Sequence, residues 1–321
     1  MTTSSVPSPG NQISADFEAP CQQIMQAWSQ AQLSAAEALQ RLQELAKAAE
    51  EEQHTVHQGR AEHLMGNIHH TIGNLTTSSA HYERARRLYL RANNRCRVAM
   101  MDMNMGENHR LRGEFLRARR LYRSAYEVAR DLRDVRLQTM SVVNEGLALI
   151  SLKDYRAARY ALQEGLHLLE QHASAIAEAR HIYCYIYHGL ATLELLVDKP
   201  EAAWNYARLS LQYATQDDQV LSVGLAWRAL GDVATALDPL PADPELPDNP
   251  DDFYRNALDA FREIQAEAEV GHTLFHHAKS LAVRGKRRPA AQLFREAMVI
   301  FTRLGMTEDA ARAAEAQLSV M

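Results

Sequence analysis

Three glycines, Gly66, Gly106 and Gly146, stand at intervals of forty residues, and other positions move in step with them. Twelve residues after each glycine come Ser78, Ala118 and Ala158, and sixteen after come Tyr82, Tyr122 and Leu162. Nineteen after come Ala85, Ala125 and Gly165. The order small, small, large, small therefore repeats in register. It continues with Ala191, Ala203, Ala207 and Ser210, then with Gly231, then with Ala278, Ala290, Phe294 and Ala297. The step from Gly231 to Ala278 is 47 residues, seven more than the period. The excess falls in DPLPADPELPDNPDD, residues 238–252, which holds five of the ten prolines and is expected to be a non-helical insertion. A period of this length is the mark of a repeat architecture.

Glycine and proline are sparse and alanine, leucine, arginine and glutamate abundant, so the repeating unit is expected to be helical. Two antiparallel helices fit the pattern. A small residue on the first lets the second approach, and a large one fills the space between them. One such hairpin cannot bury its own apolar faces, whereas stacked neighbours bury them for one another.

The motif W-x2-L-G-x2-A at Trp227, Leu230, Gly231 and Ala234 resembles the first helix of a tetratricopeptide repeat, and the second-helix positions above match as well. The resemblance spans about residues 20–304. The period of forty is similar to the longer-helix subtype common in bacterial signalling regulators and kinesin light chains. Residues 300–318 also resemble the ends of repeat arrays attached to bacterial cyclases and regulatory ATPases. It implies an all-α, right-handed superhelix of six to seven helical hairpins plus a C-terminal cap. The expected hairpins are 16–51, 56–94, 97–134, 136–173, 176–217, 219–268 and 269–304, after a disordered tail at 1–15. The cap is 307–320, with Thr307 as N-cap.

The resemblance also assigns directions. Positions 2, 5, 9 and 12 of each first helix face a concave groove, and positions 7 and 8 face the core. The methionine-rich stretch MMDMNM, residues 100–105, is thereby divided. Met105 is expected in the core, Met101 at the border with the preceding unit, and Met100 and Met103 in the groove. The expected groove is His63, Asn67 and His70, then Met100, Met103, Asn104 and Glu107, then Met140, Val143, Asn144 and Leu147. Tyr185, His188, Arg228 and Asp232 complete it. It is apolar in the middle and polar at both ends, which suits an apolar or amphipathic peptide or protein segment. Asn104 and Asn144, one repeat apart, are placed to hold a ligand's backbone. The basic clamp of chaperone-binding relatives is missing, because Met140 and Asn144 stand where cations are needed.

Net charge is −5, unevenly spread. The insertion carries six acidic residues and no basic one, while residues 81–136 hold fifteen arginines against seven acidic residues. Arg84, Arg86, Arg87, Arg117, Arg119, Arg120 and Arg123 are expected to form a convex basic patch for nucleic acid, an acidic partner, or the insertion of a second copy. No aromatic residues are interleaved with these arginines in a way that suggests base stacking, so nucleic acid is the least favoured of these partners. No GxxxxGK[ST], GxSxG or GxGxxG motif is present, and neither catalysis nor a cofactor or metal is expected. Cys21, Cys96 and Cys184 are far apart and read as idle thiols of a reducing compartment. With no apolar run of ~18 residues and no secretory leader pattern, a cytoplasmic protein is expected. The functional expectation is a peptide- or protein-binding scaffold or adaptor, with a peptide sensor that changes superhelix shape as the alternative.

Overall fold

The computed structural model describes residues 13–30, 32–172, 179–216 and 220–321. Among these residues the chain is all helix: α1 (Ala15–Ser29), α2 (Ala35–Glu51), α3 (Thr55–Thr71), α4 (Leu75–Arg91), α5 (Arg95–Leu111), α6 (Phe115–Leu132), α7 (Val135–Ser151), α8 (Tyr155–His172), α9 (Ala179–Leu196), α10 (Pro200–Gln216), α11 (Val220–Ala236), α12 (Pro250–Glu263), α13 (Glu267–Val283), α14 (Arg287–Arg303) and α15 (Thr307–Val320). Most of the expected N-terminal tail, and the expected hairpin limits at 173, 176, 217 and 219, lie outside the described residues.

The period of forty is two periods of twenty. Residues 53, 73, 93, 113, 133 and 153 all adopt positive φ, and so do 198, 265, 285 and 305 further along. Each ends a helix in the same way. The amide of Asn74 donates to His69 O (2.8 Å), Glu114 to His109 O (2.8 Å), Asp154 to Leu149 O (3.0 Å) and Met306 to Phe301 O (2.9 Å). These six-to-one bonds satisfy carbonyls that the helix end leaves open. One turn therefore serves both within and between hairpins, joining helices of mostly 17 residues that are each about 25 Å long.

The large residue of each unit lies over the small one. A Cβ on Gly66 would stand 2.5 Å from the Tyr82 ring, on Gly106 2.7 Å from Tyr122, and on Gly146 2.9 Å from Leu162. Gly231 meets Tyr254 at 3.0 Å, across the insertion. A second rung, not read from the sequence, lies seven residues away in both directions. Gly59 sits under Tyr89 (2.9 Å), Gly224 under Phe261 (2.6 Å) and Gly271 under Phe301 (2.8 Å). Seven residues are about two helical turns, so antiparallel helices repeat their contact at that distance. Ser78 Oγ also donates to Gly66 O at 2.8 Å, tying the small second-helix residue to the first helix.

Several expected ends and directions are corrected. Thr307 is the first helical residue and Met306 the N-cap, because the turn at Gly305 places Met306 as the buried anchor of the preceding helix end (1% exposed). The last residues of the insertion are helical, since Pro250 occupies the first turn of α12 after the Asn249 cap, where a missing N–H costs nothing. Ala15 of the expected tail already belongs to α1. Met105, expected in the core, is only half-buried, because α5 turns its Met101 face toward the preceding hairpin; Met101 lies at that border as expected, fully buried among Val56, Tyr82, Ala85 and Tyr89.

First helices touch their counterparts, α5 with α7, α7 with α9, α9 with α11 and α11 with α13, and so line the inside of the superhelix. The winding brings the C-terminal turn onto the second and third hairpins. Leu304 of the α14–α15 turn lies over Gly73, and Glu308 lies over Gly113.

Two substitutions test this account by urea unfolding. Gly66→Ala gains about 1 kcal/mol of helix propensity but drives a methyl into Tyr82, and a net loss of about 1–3 kcal/mol is expected. Lys153→Gly relieves a left-handed non-glycine residue (φ 61°), and a gain of about 1 kcal/mol is expected.

Candidate ligand cavity

The inner face encloses a cavity of about 380 Å³, within the roughly 300–1,000 Å³ of ordinary ligand sites. Apart from Ala266, just ahead of α13, its walls come from first helices alone: α3, α5, α7, α9, α11 and α13. One wall is apolar, built from Met103, Met140, Val143, Leu147, Ile150 and Ile182, with Leu221 and Leu225 continuing it. These residues recur at helical spacing on α7 (140, 143, 147, 150), which turns one face inward.

The lining also carries charge, and its charges are matched. Glu107 accepts from Arg110 at 2.6 Å and from Tyr122 OH at 2.8 Å. Glu269 accepts from Arg228 at 2.6 Å. Burial works to raise both carboxyl pKa values, but the neighbouring guanidinium outweighs it. Glu107 is held below its ordinary value by Arg110, and Glu269 falls to about 2, chiefly through Arg228. Arg110 also feels Glu269 across the lumen, so α5 and α13 attract one another. His188 stands among these charges. Burial first, and Arg228 next, lower it to about 4, and its Nδ1 is buried with no hydrogen-bond partner.

Of the expected groove residues, His70, Met103, Asn104, Glu107, Met140, Val143, Asn144, Leu147, Tyr185, His188 and Arg228 line this cavity together. Four do not. Met100 is wedged half-buried between the cores on either side of α5. His63 is buried (5% exposed), and its Nε2 accepts from Asn104 Nδ2 at 3.1 Å. Asn67 Oδ1 accepts from Tyr82 OH at 2.9 Å. Asp232 accepts from Tyr254 OH and from His276 Nδ1, both at 2.8 Å. In each of these last three, a polar group expected to await a ligand is already used by a neighbouring helix. Asn104 and Asn144 therefore differ: Asn104 is partly committed to His63, whereas Asn144 makes no hydrogen bond within the described residues. Arg110 and Glu269 were missed, although Glu107 to Arg110 is a visible i, i+3 pair.

The convex patch is corrected as well. Arg84 pairs with Glu62 (2.9 Å), Arg86 with Asp102 (2.6 Å), Arg87 with Glu83 (3.8 Å) and Arg117 with Glu114 (2.8 Å). Arg119 and Arg123 share Glu145 at 3.3 and 3.7 Å. Among the described residues only Arg120 of the seven lacks a carboxylate. Half of the six acidic residues of the insertion are likewise paired within the chain: Asp243 with Arg208 (2.8 Å), Asp252 with Arg255 (2.5 Å), and Asp251 with Arg284, Lys286 and His277. Local carboxylates thus occupy the surface assigned to an acidic or nucleic-acid partner.

No protein-family model matches the sequence, and no curated protein sequence matches it. Solved structures do. A Rap protein complexed with Competence and Sporulation Factor superposes with a TM-score of 0.66 at 15% identity, over 93% of this chain and 78% of the other. The Rap conjugation gene regulator of plasmid pLS20, in complex with the Phr* peptide, gives 0.65 at 13% identity over 96% and 82%. Aspartyl phosphate phosphatase F from Bacillus subtilis gives 0.64 at 12% identity over 89% and 70%. The shared fold is a tetratricopeptide-like helical solenoid. Among the described residues no helix is long and apolar enough to cross a membrane.

The buried histidines fix a pH response. Burial first, then Arg60 and Arg97, lower His63 from 6.5 to about 3. Between those values the unfolded chain binds a proton that the folded one refuses. The stabilising contribution is therefore full above about pH 6.5 and is lost as pH falls. His63→Gln keeps an acceptor for Asn104 and removes the proton site. Between pH 7 and pH 5 it is expected to lose about 2 kcal/mol less stability than the parent, read by urea midpoints.

Proposed function

We propose that this chain is a non-catalytic receptor for a short peptide segment, held in the lumen of the superhelix. It would act as a scaffold or adaptor, or as a sensor whose pitch answers the bound peptide. The observation that carries this reading is the pairing of an apolar wall with one uncommitted amide, Asn144, inside a cavity built wholly from the concave face. An apolar wall binds side chains, and a free amide gives and takes hydrogen bonds with a backbone. The two solved neighbours bound to Competence and Sporulation Factor and to the Phr* peptide support the same use of the fold. The helices of 17 residues support assignment to the longer-helix subtype.

The charges refine the ligand. Glu107 with Arg110, and Arg228 with Glu269, leave the wall with no net charge. A charged side chain would have to separate a buried pair, which is costly. The favoured ligand is therefore apolar and close to neutral.

A library of short peptides screened by thermal shift, followed by calorimetry on the best binder, tests this. Val143→Glu should abolish binding, and Asn144→Ala should weaken it about fivefold, the worth of one hydrogen bond. Arg120→Glu on the convex side should leave it unchanged. A binder indifferent to both lumen substitutions would sink the proposal.

A further inference from the structure

The C-terminal turn of the superhelix meets the second and third hairpins along a thin seam. On one side are Gly73 and Gly113, the left-handed residues (φ +82° and +77°) that end α3 and α5. On the other are Leu304 and Glu308. A Cβ on Gly73 would stand 2.7 Å from Leu304 Cδ2, and one on Gly113 would run into the Glu308 carboxylate. Among the described residues no hydrogen bond and no ion pair crosses this seam. Successive units elsewhere are joined by ion pairs such as Arg86–Asp102 and Arg228–Glu269.

The seam lies against the cavity. Thr71 and Leu111, each two residues before a seam glycine, line it from one side. Ala266, Ala268 and Glu269 line it from the far end of the coil. Arg110, beside Leu111, feels Glu269 across the lumen. The joint with the fewest bonds is thus the one that closes the cavity laterally, and local opening begins where contacts are fewest.

We propose that this seam is the gate of the cavity. It parts to let a peptide enter from the side and shuts over it. A ligand that touches α5 and α13 together adds contacts across the seam and holds it closed, so occupancy and closure favour one another. The proposal rests on the reading of the cavity as a peptide site, but its test needs no peptide.

The reporter is a thiol in the lumen, Asn144→Cys, in a Cys96→Ser background, labelled by a polyethylene-glycol maleimide on the full chain. Cys21 and Cys184 are buried. Gly73→Ala should speed labelling about tenfold by driving a methyl into the branched end of Leu304, whose Cδ2, Cδ1 and Cγ all lie within 3.3 Å of it. Gly285→Ala is the control, since Gly285 has nearly the same φ (+75°) with nothing within 4 Å, and its rate should match the parent. The double variant Leu304→Ala, Glu308→Ala removes the seam contacts without backbone strain and should also speed labelling. Equal rates in all four proteins would overturn the gate and leave entry along the superhelix axis. Failure to find any peptide would sink the functional reading and leave these rates as they are.

Discussion

The structure depends on how closely the backbone of one helix lets an aromatic ring of the next approach. With no Cβ at Gly66, Gly106 or Gly231, the rings of Tyr82, Tyr122 and Tyr254 lie on the helix itself. That contact fixes the spacing within a hairpin, and the second rung seven residues away fixes the crossing angle. Where the same contact and the same left-handed turn recur from hairpin to hairpin, the stack winds. The cavity is a product of that winding rather than of any single unit.

The repeat was legible because packing demands small residues at fixed places and the helix period transmits the demand to the sequence. The groove was legible to the extent that it is apolar. Met103, Met140, Val143 and Leu147 lie where the repeat register puts them, for an apolar side chain can pack on its neighbours and line the lumen at once. Polar positions were less legible. His63, Asn67 and Asp232 sit at groove register, but their partners, Asn104, Tyr82 and His276, come from other helices, and a register does not say which partner is within reach. The convex arginines fail for the same reason. Arg119 and Arg123 face Glu145, more than twenty residues away in sequence, and the partner appears only when the next hairpin is stacked. Asp102 becomes intelligible in the same way: it is the buried acceptor of Arg86.

Charge is distributed in the molecule by use. On the convex side and in the insertion, carboxylates and guanidinium groups are paired at partly exposed sites, where each pair adds at most about 1 kcal/mol but suppresses unwanted association. In the lumen Arg228 and Glu269 are largely buried and Glu107 and Arg110 partly so, and the removal of one partner is costly while the net attraction for a ligand's charge is small. An electrically balanced set of charges beside an apolar wall discriminates by shape and by the absence of charge.

The closure at Gly73 and Gly113 also limits how such a chain can vary. A solenoid open at both ends tolerates the gain or loss of a unit, because each unit answers only to its neighbours. A coil whose last turn must land on its second and third hairpins does not. One extra hairpin would carry Leu304 and Glu308 past their glycines, and one fewer would leave them short. Here the number of hairpins is set by geometry, much as the number of staves is set in a cask.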